Sequence, residues 1–137
     1  MKYVKLEIYI SKKGGISYHP GKSNYGPLET LSLAFHGYTN NEEIAEWLIS
    51  TDGLIYSYNA VYIEKLEHNV ITVGLAWEMG EYPEISTLFI DLDNFIEVLK
   101  SITQLRKEKH EVIIIAQDEN DKVICFPSKT LLTKELN

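Results

Sequence analysis

The stretch ISTLFIDLDNFIEVLKSITQLRKEKHEVIIIA, residues 85–116, decides the fold because it reads as a strand, a helix and another strand in succession. Apolar side chains recur at helical spacing from Leu92 to Leu105, and basic residues gather near the end, where the helix dipole favours positive charge. The unbroken apolar run that closes the stretch predicts a central strand of a sheet. Asp91 and Asp93 stand at the helix start, so we interpret these two carboxylates as capping groups and not as a catalytic pair.

The rest of the chain adds a second helix and further strands. Asn40 and Glu43 have the spacing of a capping box, which predicts a helix over residues 41–50. Residues 28–35 are apolar enough for either a short strand or a packed loop. Gly74, in the middle of a predicted strand, indicates a bulge or a close approach by another backbone. Residues 16–18 fit a short returning strand. The main predicted strands, whose short turns favour antiparallel pairing, are 3–10, 60–66, 70–77, 85–90, 112–116 and 122–126.

Length and composition set the class of the protein. A chain of 137 residues with 45% hydrophobic side chains is long enough to bury one core. It has no apolar run of the roughly 18 residues that a membrane span needs, and its start lacks the apolar centre of a signal peptide. Its one cysteine, Cys125, lies in an apolar run and is interpreted as a buried small residue. We therefore expect a cytoplasmic, single α+β domain over residues 1–137, with a mostly antiparallel sheet of about six strands and two main helices at about 41–50 and 92–106.

The charges are distributed unevenly along the chain. Residues 41–97 hold twelve acids and a single base, Lys65, and so carry a net charge of −11, whereas residues 1–40 and 98–137 carry +3 and +1. Such a negative region argues against nucleic acid as the main ligand, because phosphate binding needs a basic surface. It would attract a basic protein and speed its approach, although acidic side chains also simply keep small proteins soluble.

One acidic loop within this region is the candidate partner-binding site. Residues 78–84 combine three carboxylates with a methionine and a tyrosine, a composition that suits contact with a basic protein surface and equally suits an ordinary solvated turn. Two nearby tyrosines are expected to add to it, and one continuous strand would place them on the same face as Tyr62. The candidate residues are Glu78, Glu81, Tyr82, Glu84, Tyr56 and Tyr58.

A different class of function, small-ligand binding or catalysis, would use the loop of residues 19–25, which contains His19 and Tyr25. The Gly-Lys-Ser at residues 21–23 lacks the first glycine of a phosphate-binding loop and precedes a proline, so we interpret it as a turn. The four histidines lie in separate segments without the spacing of a metal site. The sequence thus predicts a protein that binds no metal or cofactor and is not an enzyme.

The segment IDLDNFIEVL, residues 90–99, followed after its helix by EVIII, residues 111–115, resembles a recurring part of bacterial immunity proteins. These small cytoplasmic proteins neutralise polymorphic or contact-dependent toxins of the same strain. The resemblance covers about a quarter of the chain and transfers no site residue. It implies a stoichiometric inhibitor that covers the active site of a toxin, and the acidic middle region is compatible with a nuclease toxin, whose cleft is basic.

Overall fold

The computed structural model describes residues 3–12, 15–20, 26–35, 41–58, 60–108, 110 and 112–127. Within these residues the chain forms eight strands and three α-helices. The number of strands exceeds by two the approximate number of six that was expected. The strands are β1 Tyr3–Lys12, β2 Gly15–Pro20, β3 Ile55–Tyr58, β4 Val61–Lys65, β5 Val70–Leu75, β6 Leu88–Asp91, β7 Val112–Asp118 and β8 Val123–Pro127. The helices are α1 Pro27–Leu33, α2 Asn41–Ile49 and α3 Leu92–Lys107.

The described strands form two four-stranded sheets, and every pairing in them is antiparallel. The first sheet has the order β2-β1-β7-β8, with the apolar strand β7 in a central position as predicted. The second sheet is the meander β3-β4-β5-β6. Helix α3 leads from the end of β6 to β7 and so connects the two sheets. The α+β class with two main helices is therefore confirmed.

One hydrophobic core joins the described parts of both sheets and all three helices. Helix α1 contacts β5 and β6 of the second sheet as well as β1 and β7 of the first, and α3 contacts β5, β6 and β8. Phe95 of α3, which is 0% exposed, lies in this core together with Ile63 of β4 and Ile115 of β7. The side chains that the helical periodicity assigned to the buried face of α3 thus hold the two sheets together.

Residues 28–35 form neither of the structures expected of them, because most of this segment is helix α1. Pro27 occupies the start of the helix, where its fixed φ is compatible with the helix and its missing N–H costs nothing. Leu28 and Leu31, three residues apart, lie on one face and are 1% and 0% exposed. A seven-residue helix is too short to show a repeating pattern, which explains why the sequence did not identify it.

The predicted helix over 41–50 is confirmed as α2, although Asn40 of the proposed capping box lies outside the described residues. None of the helices in the described part of the chain is both long and apolar enough to cross a membrane.

Candidate functional site

The second sheet has one face on the core and a second face, here called the outer face, on the opposite side. Directly paired residues share a face, so Ile63, Val73 and Leu88 of the core identify the inner face across three strands. The residues between them in sequence point outward. One row of the outer face crosses all four strands through the pairs Ile55–Glu64, Glu64–Thr72 and Thr72–Phe89.

Residues 76–87, here called the covering segment, connect β5 to β6 and lie against this outer face. The segment begins with a turn of 3-10 helix, Ala76–Glu78, and is joined to the β3–β4 turn because the Ala76 amide donates to the Ala60 carbonyl at 2.9 Å. Within the segment, the Ser86 hydroxyl donates to Glu78 Oε1 at 2.6 Å. A connection of this length with its own hydrogen bonds has a defined shape and is typical of functional loops.

Tyr82 fixes the covering segment to the sheet. Its hydroxyl donates to Glu64 Oε1 on β4 at 2.6 Å, and its ring lies 6.3 Å from the ring of Phe89 on β6, centroid to centroid. Thr72 of β5 pairs with Glu64 on one side and with Phe89 on the other. The Tyr82 side chain therefore crosses the sheet at Thr72, which is 0% exposed. The carboxylate that accepts its hydrogen bond raises the pKa of the Tyr82 phenol, with burial as a lesser cause.

Tyr62 is buried on the outer face beside Gly74, its partner across the strands. A Cβ atom on Gly74 would lie 2.6 Å from Cε1 of Tyr62, so the glycine makes room for this ring. The close approach expected at Gly74 is thus made by a side chain and not by another backbone. Burial, and then the carboxylates of Glu64 and Glu78, raise the pKa of Tyr62.

Three buried hydroxyls on this side of the sheet have no hydrogen-bond partner among the described residues. They belong to Tyr62 and Thr72 on the outer face and to Thr87 at the end of the covering segment. A buried hydroxyl without a partner costs on the order of 1–3 kcal/mol, so the packing of the covering segment and the Tyr82 side chain must offset this cost.

The covering segment brings negative charge to the outer face. Glu81 and Glu84 are exposed, while Glu78 is partly buried and is held by Ser86. Lys65, the one base of residues 41–97, is on the opposite side of the sheet, because it pairs with Ile71 of the inner face. Its Nζ atom donates a hydrogen bond to the Ser50 carbonyl at 2.9 Å and lies 4.3 Å from the centroid of the Trp47 ring. The sequence-predicted residues Glu78, Glu81, Tyr82 and Glu84 all belong to the covering segment, and Lys65, on the other side of the sheet, does not neutralise their charge.

Tyr56 and Tyr58 do not belong to this face. Both are on the inner face of the sheet, where Tyr56 pairs with Ile63 and Tyr58 pairs with Val61. The Tyr56 hydroxyl donates to Glu43 of α2 at 2.9 Å, and burial raises the pKa of the Tyr58 phenol. The expectation that these two tyrosines extend the acidic loop is not supported by their positions.

Tyr56 and Tyr58 lie on a different face from Tyr62 because of the turn at Ala60, where φ is +66° and the chain reverses between β3 and β4. Residues two positions apart share a face only along one continuous strand, and across this hairpin Tyr62 pairs with Ser57 instead of with a tyrosine. Tyr62 therefore points outward while Tyr56 and Tyr58 point inward.

The acids of residues 41–97 are likewise divided between two sides. Glu42 and Glu46 are exposed on α2, which packs on the inner side of the sheet because its Trp47 ring contacts Tyr56 at 5.4 Å. The acidic middle region is thus not one surface. Its later part, in the covering segment and β6, faces outward from the second sheet together with Glu64 of β4.

A cleft of about 600 Å³ adjoins the outer face at the end of β6, and its lining includes Phe89, Asp91, Asp93, Glu97 and Lys122. Three of these residues are acids and one is a base, so the cleft extends the negative character of the outer face. Lys122 is 3.7 Å from Glu97 in an exposed pair of the kind that contributes little to stability.

Asp91 occupies the N-cap position of α3, but its side chain makes no capping hydrogen bond. The capping function predicted for Asp91 is therefore not observed.

Large exposed apolar residues also lie in the covering segment and on β6, and their exposure was not predicted from the sequence. Trp77 and Ile85 of the covering segment are 70% and 75% exposed, and Phe89 and Met79 are 49% and 40% exposed. Trp77 and Ile85 were expected at the ends of the predicted strands 70–77 and 85–90, but β5 ends at Leu75 and β6 begins at Leu88, so both residues belong to the covering segment. Isolated exposed apolar residues are normal, but a group of them indicates a contact surface.

Most of the loop that the alternative function would use, residues 21–25, lies outside the described residues. Cys125 keeps part of its surface exposed, while burial around its sulfur raises the pKa of the thiol to about 12. A thiol with such a pKa is protonated at neutral pH and is a poor nucleophile.

No family model, curated protein or solved structure matches this chain.

Proposed function

We propose that this protein is a cytoplasmic immunity protein that binds a cognate bacterial toxin domain and neutralises it without performing a reaction. The binding surface is the outer face of the second sheet with its covering segment. The matching surface of the toxin is basic, as it would be in a nuclease, whose cleft must hold the phosphates of its substrate.

The single observation that carries the proposal is the uniform charge sign of the covering segment. Residues 76–87 contain Glu78, Glu81 and Glu84 and no lysine, arginine or histidine. Carboxylates of one sign on one face create a potential that steers a basic protein toward that face.

The surface is also ordered before binding. Glu78 is held by Ser86 and Tyr82 is held by Glu64, each through a hydrogen bond of 2.6 Å. A preformed surface loses little conformational entropy on association, which favours the tight and stoichiometric binding that an inhibitor needs.

The proposal is tested by growth of a bacterium that expresses the toxic C-terminal domain of a secreted protein encoded beside this chain. Co-expression of the wild-type protein should restore growth, and the charge-reversed variant Glu81→Lys/Glu84→Lys should fail to do so. The variant Glu42→Lys/Glu46→Lys changes the net charge equally on the other side of the sheet and should still protect. The proposal is wrong if no neighbouring toxin exists or if the first variant protects fully.

A further inference from the structure

The exposed apolar residues of the outer side form a group. Glu78 and Ser86 are joined by their 2.6 Å hydrogen bond, and each has an exposed apolar neighbour in sequence: Trp77 beside Glu78 and Ile85 beside Ser86. The same bond therefore brings residues 77–78 and 85–86 of the covering segment near each other, although eight positions separate Trp77 from Ile85. Met79, which follows Glu78 in sequence, is a further exposed apolar residue of the covering segment.

Phe89 continues this group onto the sheet itself. Its ring is 49% exposed and tilts by 34° against the ring of Tyr82, the residue that fixes the covering segment to β4. The apolar group thus runs from the covering segment to strand β6, and Glu81 and Glu84 are part of the same segment.

We infer that this group is the centre of the docking surface, here defined as Trp77, Met79, Ile85 and Phe89 with the carboxylates of Glu81 and Glu84 beside them. Its occupant is a basic protein that presents an apolar patch next to lysine or arginine side chains. The inference rests on the proposed function and adds that apolar contact, not charge pairing, holds the complex together. In protein interfaces, large apolar and aromatic anchors supply most of the binding energy, and the charged residues around them supply specificity.

The charges of the docking surface favour this occupant over others. Two exposed carboxylates repel the phosphates of nucleic acids and of anionic lipid headgroups, so exposed Trp77 and Ile85 do not fit either of these. A second copy of this chain would bring the same carboxylates face to face, which opposes self-association through this surface.

Because the apolar residues hold the complex and the carboxylates steer its approach, substitutions of the two kinds of residue should have different kinetic effects. Removing an apolar anchor should leave the association rate nearly unchanged and speed dissociation, because the contact forms only in the docked complex. Reversing the carboxylates should mainly slow association and should lose its effect at high salt, because steering is screened.

The position of the surface is tested by photocrosslinking in the native host. A photoreactive phenylalanine analogue replaces Ile85 in one full-length variant and Ile49 in another; both positions are 75% exposed, and Ile49 belongs to α2 on the inner side. We expect the Ile85 variant to crosslink one basic protein and the Ile49 variant not to crosslink it. Crosslinking of the same protein from both positions, of an acidic protein, of lipid, or of nothing would overturn the inference.

The energetic part is tested by binding kinetics with the toxin domain. Trp77→Ala should weaken affinity by about 10- to 100-fold through faster dissociation, and Ile49→Ala by less than about twofold. If Trp77→Ala and Ile85→Ala bind normally while the wild type still protects cells, the docking surface is wrong and the proposed function stands. If the basic protein crosslinked at Ile85 is not a toxin, the surface is right and the immunity function is wrong.

Discussion

Asn94, in the first turn of α3, hydrogen-bonds both backbone groups of Val123 on β8. Its side-chain nitrogen donates to the Val123 carbonyl at 2.8 Å, and its side-chain oxygen accepts from the Val123 amide at 3.0 Å. The amide side chain therefore takes the place of a neighbouring strand at that position. It fixes the helix that leaves the second sheet against the edge of the first.

Replacing Asn94 should weaken this connection. Asn94→Ala leaves the Val123 amide and carbonyl without these partners and should reduce the free energy of unfolding by about 1–3 kcal/mol. Urea denaturation monitored by circular dichroism measures this change. Asn120→Ala, an exposed asparagine in the adjacent β7–β8 turn, is the control and should change stability by less than about 0.5 kcal/mol. Equal losses for the two variants would contradict this account of Asn94.

Gly74 should not tolerate alanine. The added Cβ would lie 2.6 Å from Cε1 and 2.7 Å from Oη of Tyr62, and forcing the ring aside should cost about 1–3 kcal/mol. A double-mutant cycle with Tyr62→Ala isolates the cause, because the penalty for Gly74→Ala should largely disappear when the ring is absent. Additive losses in denaturant unfolding would show that the clash with Tyr62 is not responsible.

Tyr82→Phe tests the attachment of the covering segment. The variant keeps the ring beside Phe89 and loses the hydrogen bond to Glu64, so the segment should open more often. Hydrogen exchange of backbone amides in residues 76–87 should accelerate by about five- to tenfold, whereas Glu81→Gln, at an exposed position, should leave it unchanged. Unaltered exchange in Tyr82→Phe would mean that the segment is held by other contacts.

Truncation of two phenylalanines six positions apart should change stability by very different amounts. Phe95→Ala removes a ring that is 0% exposed in the shared core and should destabilise the protein by about 3–5 kcal/mol. Phe89→Ala removes a ring that is 49% exposed and should cost less than about 1 kcal/mol. Thermal or urea unfolding distinguishes the two. A large loss for Phe89→Ala would mean that this ring serves the fold and not a contact surface.

The sequence was sufficient for the elements whose patterns are long and local. Helix α3 showed four turns of apolar periodicity, and β7 showed an unbroken apolar run, so both the helix and the central strand were predicted close to their observed bounds. The short helix α1 has too few turns for such a pattern, and the sequence analysis assigned its residues to a strand or a loop.

The candidate site was predicted only in part, because the missing information lies in contacts between distant residues. The acidic composition of residues 78–84 predicted Glu78, Glu81, Tyr82 and Glu84 as candidate partner-binding residues, and all four belong to the covering segment. Which face Tyr56 takes depends on the register of the β3–β4 hairpin, and the pairing of Tyr82 with Glu64 spans eighteen positions. Local periodicity contains neither fact, and it did not show that Trp77 and Ile85 remain exposed.

That the outer face receives a basic toxin is tested by the rate at which the protein associates with the purified toxin domain in low and moderate salt. Glu81→Lys/Glu84→Lys should slow association about tenfold or more at low salt, and Glu42→Lys/Glu46→Lys, with the same change in net charge on the inner side, by no more than about threefold. A loss confined to the first variant and reduced by added salt is the predicted result. Equal rates for the two variants, or no change in either, would contradict the claim.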